Sequence, residues 1–98
     1  MEGHASISHE ILASYAADAA REVDGVRGLF DGHLPRRGGV RISGEDGGAL
    51  RIELHLAVDW GASIPQLGAA VQERVREYVG RMTDLRVEAV DVVVDEIA

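Results

Sequence analysis

The stretch Leu50-Arg51-Ile52-Glu53-Leu54-His55-Leu56-Ala57-Val58-Asp59 decides the fold of this chain. Apolar and polar residues alternate along it without interruption apart from one alanine. Successive side chains of a β-strand point to opposite faces, so this pattern predicts a strand with one buried and one solvated face. Such strands are typical of antiparallel sheets that are covered on one side only. The rest of the chain must therefore supply neighbouring strands and a covering layer.

Shorter segments on both sides of this stretch predict further strands. Residues 40–43 precede it, and the glycine-rich segment 44–48 between them predicts a hairpin turn. The segment 26–30 is short and apolar, and it predicts another strand further upstream. The valine-rich segment 86–95 predicts the last strand, because β-branched residues favour strands.

Two segments show the periodicity of amphipathic helices instead. Ser8 and Ser63 stand where N-cap residues are expected, Pro65 suits a first helical turn, and Gly25 follows the first segment as a helix terminator. The apolar stripe of the first helix consists of Ile11, Leu12, Tyr15, Ala16, Ala19, Ala20 and Val23. The stripe of the second consists of Ile64, Leu67, Val71, Val75, Tyr78, Val79 and Met82.

The resulting order is helix, strand, strand, strand, helix, strand. Elements that each have one apolar face bury those faces by packing in two layers. The sequence therefore predicts an α+β two-layer sandwich, in which a small, mainly antiparallel sheet of three to four strands carries two amphipathic helices on one face. The length of 98 residues fits a single domain, 1–98.

Composition narrows the classes of function. The chain has no cysteine, which excludes disulfides and thiolate ligands, and its formal net charge is −7 with arginine as the only basic residue besides histidine. An acidic surface repels nucleic acid and anionic lipid. The N-terminal residues show no secretory signal, and no apolar run is long enough to insert into a membrane. We therefore expect a cytoplasmic protein.

One histidine lies among carboxylates on the polar face of the long strand. Glu53, His55 and Asp59 could form an acid–base site or, with a ligand from elsewhere, a metal site. Solvated strand residues that pair with neighbouring strands are the favoured interpretation of the same pattern. We accordingly expect neither catalysis nor a cofactor, and the site built on these three residues remains an alternative.

Arg36, Arg37 and Arg41 form the one basic cluster, which is either a docking point for an acidic partner or, as an alternative, a nucleic-acid contact. Trp60, the single tryptophan, ends the long strand. It is interpreted first as a lid on the core, and as an interface anchor if it is exposed.

Three stretches taken together resemble one bacterial family. The first is Ile7-Ser8-His9-Glu10-Ile11-Leu12 running into Ala19-Ala20-Arg21-Glu22-Val23-Asp24-Gly25-Val26. The second is Val58-Asp59-Trp60-Gly61 followed by Ile64-Pro65 and Val71-Gln72-Glu73-Arg74-Val75. The third is Met82-Thr83-Asp84-Leu85 followed by residues 87–94. Their order and spacing are similar to those of the alkaline shock proteins, the Gls-type envelope stress response proteins.

The resemblance implies a non-enzymatic scaffold or protein-interaction domain that serves envelope homeostasis. It implies protein partners, among them a membrane-anchored one that would hold the protein at the inner face of the cell membrane. Self-association is also open, because an exposed sheet edge can pair with another chain. The interface candidates are Trp60, Arg36, Arg37 and His55.

Overall fold

The computed structural model describes residues 8–30, 37–44 and 49–98. Ile7, Arg36 and most of the predicted hairpin turn lie outside the described residues, so the predictions for them are not compared with the structure. Helices and strands follow one another in the predicted order. They are α1 (His9–Arg21), β1 (Val26–Leu29), β2 (Val40–Ser43), β3 (Ala49–Val58), α2 (Ile64–Met82) and β4 (Arg86–Ile97). The predicted α+β two-layer sandwich with both helices on one face of the sheet is confirmed.

Strand β3, the predicted alternating segment, is the centre of the sheet. Strand β4 pairs with it in parallel along its whole length, from Ala49 to Val58. Strands β1 and β2 are antiparallel to β3 and share its other edge, β1 opposite residues 56–58 and β2 opposite residues 51–54. The β3–β4 pairing is parallel because α2 crosses over between the two strands. Two of the three pairings are antiparallel, as predicted for a mainly antiparallel sheet.

The apolar face of β3 carries the core. Its five members have no solvent exposure and pack against the buried sides of both helices: Leu50, Ile52, Leu54, Leu56 and Val58. Tyr15 of α1 and Tyr78 of α2 meet edge to face with ring centroids 5.9 Å apart, which joins the two helices. The stripe of α1 is narrower than predicted, since Ile11 is 47% exposed.

The edge strand formed by β1 and β2 is interrupted at a tight junction. The backbone N–H of Phe30 donates to the His55 carbonyl at 2.7 Å at the end of β1. A short 3₁₀ turn over Arg37–Gly39 leads into β2, and a β-carbon on Gly39 would lie 2.9 Å from the Phe30 carbonyl oxygen. Of the predicted basic cluster, the backbone of Arg37 thus lies in the turn before β2, and Arg41 lies on β2.

The two predicted N-caps differ in the structure. The Ser8 hydroxyl accepts a hydrogen bond from the Ile11 N–H at 3.2 Å, whereas the Ser63 side chain makes no capping bond although Ser63 precedes α2. We expect Ser8→Ala to lower the free energy of unfolding by about 1 kcal/mol, because it removes the side-chain acceptor of the Ile11 N–H and leaves only the Ser8 carbonyl at 3.1 Å. Ser63→Ala is the matched control and should cost only a few tenths of a kcal/mol by the same urea titration. Equal losses in the two variants would contradict the capping assignment.

Candidate interaction surfaces

The sheet face opposite the helices holds a buried histidine between two carboxylates. His55 Nε2 lies 2.6 Å from Glu53 Oε2, and His55 Nδ1 lies 2.5 Å from Asp95 Oδ2. The histidine is only 7% exposed, so the expectation of a solvated surface residue is wrong. The physical reason is that Glu53 of β3 and Asp95 of β4 lie against the two ring nitrogens.

Asp95 is the member of this cluster that sequence reasoning missed. It lies forty residues from His55 and reaches it through an irregularity in the β3–β4 pairing. Leu56 is opposite Val94 and Ala57 is opposite Glu96, so Asp95 is an extra residue, as in a β-bulge. Alternation along β4 places Asp95 on the polar face, but neither the parallel register nor the bulge can be read from the sequence.

The geometry limits the chemistry of this cluster. Ionised carboxylates only accept hydrogen bonds. Either the ring therefore carries a proton on each nitrogen and donates to both carboxylates, or one carboxyl group keeps its proton and donates it to the ring. Both ring nitrogens are engaged by carboxylates in this arrangement. The two nitrogens point to opposite sides of the ring, so one metal ion could not be ligated by His55, Glu53 and Asp95 together. Within residues 8–30, 37–44 and 49–98, no group of three or more histidine or acidic side chains is arranged to hold a metal ion.

Asp59 does not join this cluster. The sequence grouped it with Glu53 and His55, but its carboxylate accepts from the Arg27 guanidinium at 3.4 Å. Its backbone N–H donates to the Gly25 carbonyl at 2.8 Å. Asp59 therefore ties the end of β3 to the turn before β1, and the acid–base alternative loses one of its three residues.

Trp60 is 82% exposed, so its interpretation as a core lid is wrong. Strand β3 ends at Val58, which places Trp60 beyond the part of the sheet that the helices cover. Its backbone is held nevertheless, because its N–H donates to the Ala98 carbonyl at 2.7 Å. A large aromatic side chain therefore stands in solvent on a fixed backbone.

A cleft of about 830 Å³ opens beside Trp60. It lies between the segment that follows α1, which ends at Arg21 and not at Gly25, and the first half of α2. Five carboxylates and one guanidinium line it: Glu22, Asp24, Asp59, Glu73, Glu77 and Arg74. Arg74 bonds to Glu22 at 2.6 Å. The lining is therefore strongly acidic.

The arginine cluster is described only in part. Arg36 lies outside the described residues, and Arg37 is described by its backbone alone. Arg41 is exposed on β2 opposite Glu53, and it lines a pocket of about 230 Å³ together with Arg51 and Asp91. Acidic side chains thus accompany the described arginine of this cluster.

These features define a small α+β domain whose two helices cover one face of its sheet, with an exposed aromatic side chain at the end of its central strand. No helix in the described part of the chain is long and apolar enough to cross a membrane. The chain belongs to the alkaline shock protein 23 family, which is described as having a cell envelope-related function and whose model matches residues 1–98. The predicted family is confirmed.

Two further comparisons show which other proteins this chain is similar to. The chain is 35% identical over 100 residues to YqhY of Bacillus subtilis (strain 168), which is described as uncharacterized; the match covers 92% of this chain and 73% of YqhY. A manganese form and a cadmium form of MamM CTD variants each superpose with a TM-score of 0.60 at 22% identity. Each match covers 91% of this chain, together with 99% of the manganese form and 98% of the cadmium form. This likeness concerns the fold alone.

Proposed function

We propose that this chain is a non-catalytic interaction domain that serves the cell envelope by binding other proteins. In this proposal it is cytoplasmic, and a membrane-anchored partner holds it at the inner face of the cell membrane. The family's envelope-related function supports the general setting. The interaction role rests on the structure of the exposed surface.

The observation that carries the proposal is the exposure of Trp60. Burying a tryptophan removes roughly 200 Å² or more of surface from water, so folding normally covers such a side chain. Here it is 82% exposed on a backbone that is hydrogen-bonded to Ala98, which bonds in turn to Val58 at the end of β3. Tryptophan is among the residues that contribute most to protein–protein binding, above all where its side chain enters the centre of an interface.

The alternatives have less support. An enzyme built on His55 would need a ring nitrogen free for substrate, and both nitrogens face carboxylates. A nucleic-acid site on Arg41 would need a basic surface, and Glu53 lies directly opposite it on β3. A net charge of −7 also disfavours binding to phosphate backbones.

The proposal is tested by site-specific photo-crosslinking in the native host. A benzophenone amino acid replaces the exposed Gln66, which lines the cleft beside Trp60, in one strain and the exposed Glu88, at the opposite end of the sheet, in a matched strain. We expect a protein adduct in the membrane fraction from position 66 and none from position 88. If neither position yields an adduct in membrane or cytosolic fractions, the interaction proposal is wrong.

Self-association through β4 is a second candidate. Strand β4 forms an outer edge of the described sheet, and Val93 and Ile97 on it are 36% and 48% exposed. Such an edge can pair with the same strand of a second copy. Val93→Lys should shift a dimer towards monomer in analytical ultracentrifugation, and wild-type protein that is monomeric at every concentration would exclude this candidate.

A further inference from the structure

We propose that the cleft beside Trp60 binds a cationic, arginine- or lysine-bearing polypeptide segment of the partner, with one cationic side chain lying over the indole ring. This inference rests on the proposed function and adds the place and the chemistry of the contact. It is carried by two separate observations: an exposed indole beside the cleft and an acidic lining of the cleft.

The indole favours a cation over an uncharged apolar group. The negative face of an aromatic ring attracts ammonium and guanidinium groups, and tryptophan does so best among aromatic side chains. The side chain is 82% exposed, so a ligand can reach its face without any rearrangement. The hydrogen bond from the Trp60 N–H to the Ala98 carbonyl holds its backbone in place.

The charges of the cleft set the sign of the ligand. Two of the five lining carboxylates have arginine partners, Glu22 with Arg74 and Asp59 with Arg27. The other three, Asp24, Glu73 and Glu77, have no ion pair with the residues that the structure describes. Glu73 and Glu77 are four residues apart on α2 and repel each other, and this repulsion is relieved when a cation binds between them.

The shape of the cleft favours an extended chain over a small cation or a membrane. The cleft is open to solvent and runs from the segment after α1 past the β3–α2 corner to the middle of α2. A lone small cation would meet one aromatic ring where a cage for alkylammonium ligands uses several. An anionic membrane surface is repelled by the same carboxylates. A polypeptide can follow the cleft and place several cations along it.

The test measures binding of a dye-labelled peptide of alternating arginine and glycine by fluorescence anisotropy at low salt. A peptide with glutamate in place of arginine is the control ligand. We expect binding of the arginine peptide alone, with an affinity that falls as salt is added because the cleft charges are exposed. The emission of Trp60, the single tryptophan of the chain, should change on binding in the wild-type protein.

Variants locate the site. Trp60→Ala and the double variant Glu73→Gln/Glu77→Gln should each weaken binding about tenfold, which corresponds to about 1.4 kcal/mol. Asp84→Asn/Glu88→Gln makes the same charge change at the opposite end of the sheet and should change affinity by less than about twofold. All of these side chains are exposed, so we expect each variant to fold. Circular dichroism checks this.

Three results would overturn the inference. The first is equal affinity of wild type and both cleft variants, and the second is equal binding of the glutamate peptide. The third is binding to phosphatidylglycerol vesicles that Trp60→Ala abolishes, which would mean a membrane contact. If Trp60→Ala and Glu73→Gln/Glu77→Gln, each with the benzophenone at position 66, crosslink the partner as well as the protein with an intact cleft does, the proposed function stands and this inference fails. If the peptide result holds but no partner is crosslinked, the proposed function fails instead.

Discussion

Gly39→Ala should lower the free energy of unfolding by about 3 kcal/mol. A methyl group at this position would lie 2.9 Å from the Phe30 carbonyl oxygen and 3.1 Å from the His55 carbonyl oxygen. Both are backbone atoms at the junction where Phe30 bonds to His55, so they cannot move aside without breaking that bond. The backbone φ of +78° adds strain for any residue with a β-carbon.

The neighbouring glycine is a matched control for this prediction. Gly38 also has a positive φ, of +56°, but a methyl group there would meet no atom within 4 Å. Gly38→Ala should therefore cost only about 1 kcal/mol, from the backbone conformation alone. Urea denaturation of both variants separates the two contributions. Equal losses would show that the close approach to Phe30 contributes nothing to stability.

His55→Ala should lower the free energy of unfolding by about 2 kcal/mol. The substitution removes the ring that bonds to both Glu53 and Asp95, and it leaves an unfilled space between these two side chains, which are each only 29% exposed. The loss should be concentrated at the end of β4, because His55 is the side chain that bonds to Asp95 there. Hydrogen exchange should therefore be fastest, relative to wild type, in the residues around Asp95.

A second substitution distinguishes charge from packing as the cause. Asp95→Asn, introduced into the His55→Ala variant, removes the carboxyl group that has lost its bond to the imidazole. It should recover about half of the lost stability, whereas Asp95→Asn alone should destabilise the protein because it weakens the bond to His55. If the double variant is as unstable as the sum of the single variants predicts, the loss is due to packing, and the carboxylates do not depend on the imidazole.

The His55 cluster lies close in sequence to the backbone bonds that hold Trp60 at the end of the sheet. Asp95 lies three residues before Ala98, whose carbonyl accepts from the Trp60 N–H and whose N–H donates to Val58. Pairing of β4 with β3 at this end therefore holds the backbone on which Trp60 stands. We infer that the buried histidine acts in stability, and that Trp60 is the residue available to a partner.

The pattern of residues along the chain was sufficient to predict the layers of this fold. Alternation from Leu50 to Asp59 predicted the central strand and its buried face, because a two-residue period fits only an extended chain with one covered side. Helical periodicity predicted both helices, and the N-cap at Ser8 was confirmed. These features depend on neighbours in the sequence, so local physics determines them.

The functional surfaces depended on contacts that no local pattern contains. Asp95 meets His55 because a parallel crossover and a bulge bring distant residues together, and Asp59 turns instead to Arg27. Trp60 is exposed because β3 ends two residues before it, so a tryptophan that sequence alone favours as a core residue lies beyond the helical layer. The sequence by itself determined which faces are apolar. Only the tertiary structure decided which polar and aromatic side chains meet at the ends of the strands, since strand register and layer boundaries set those distances.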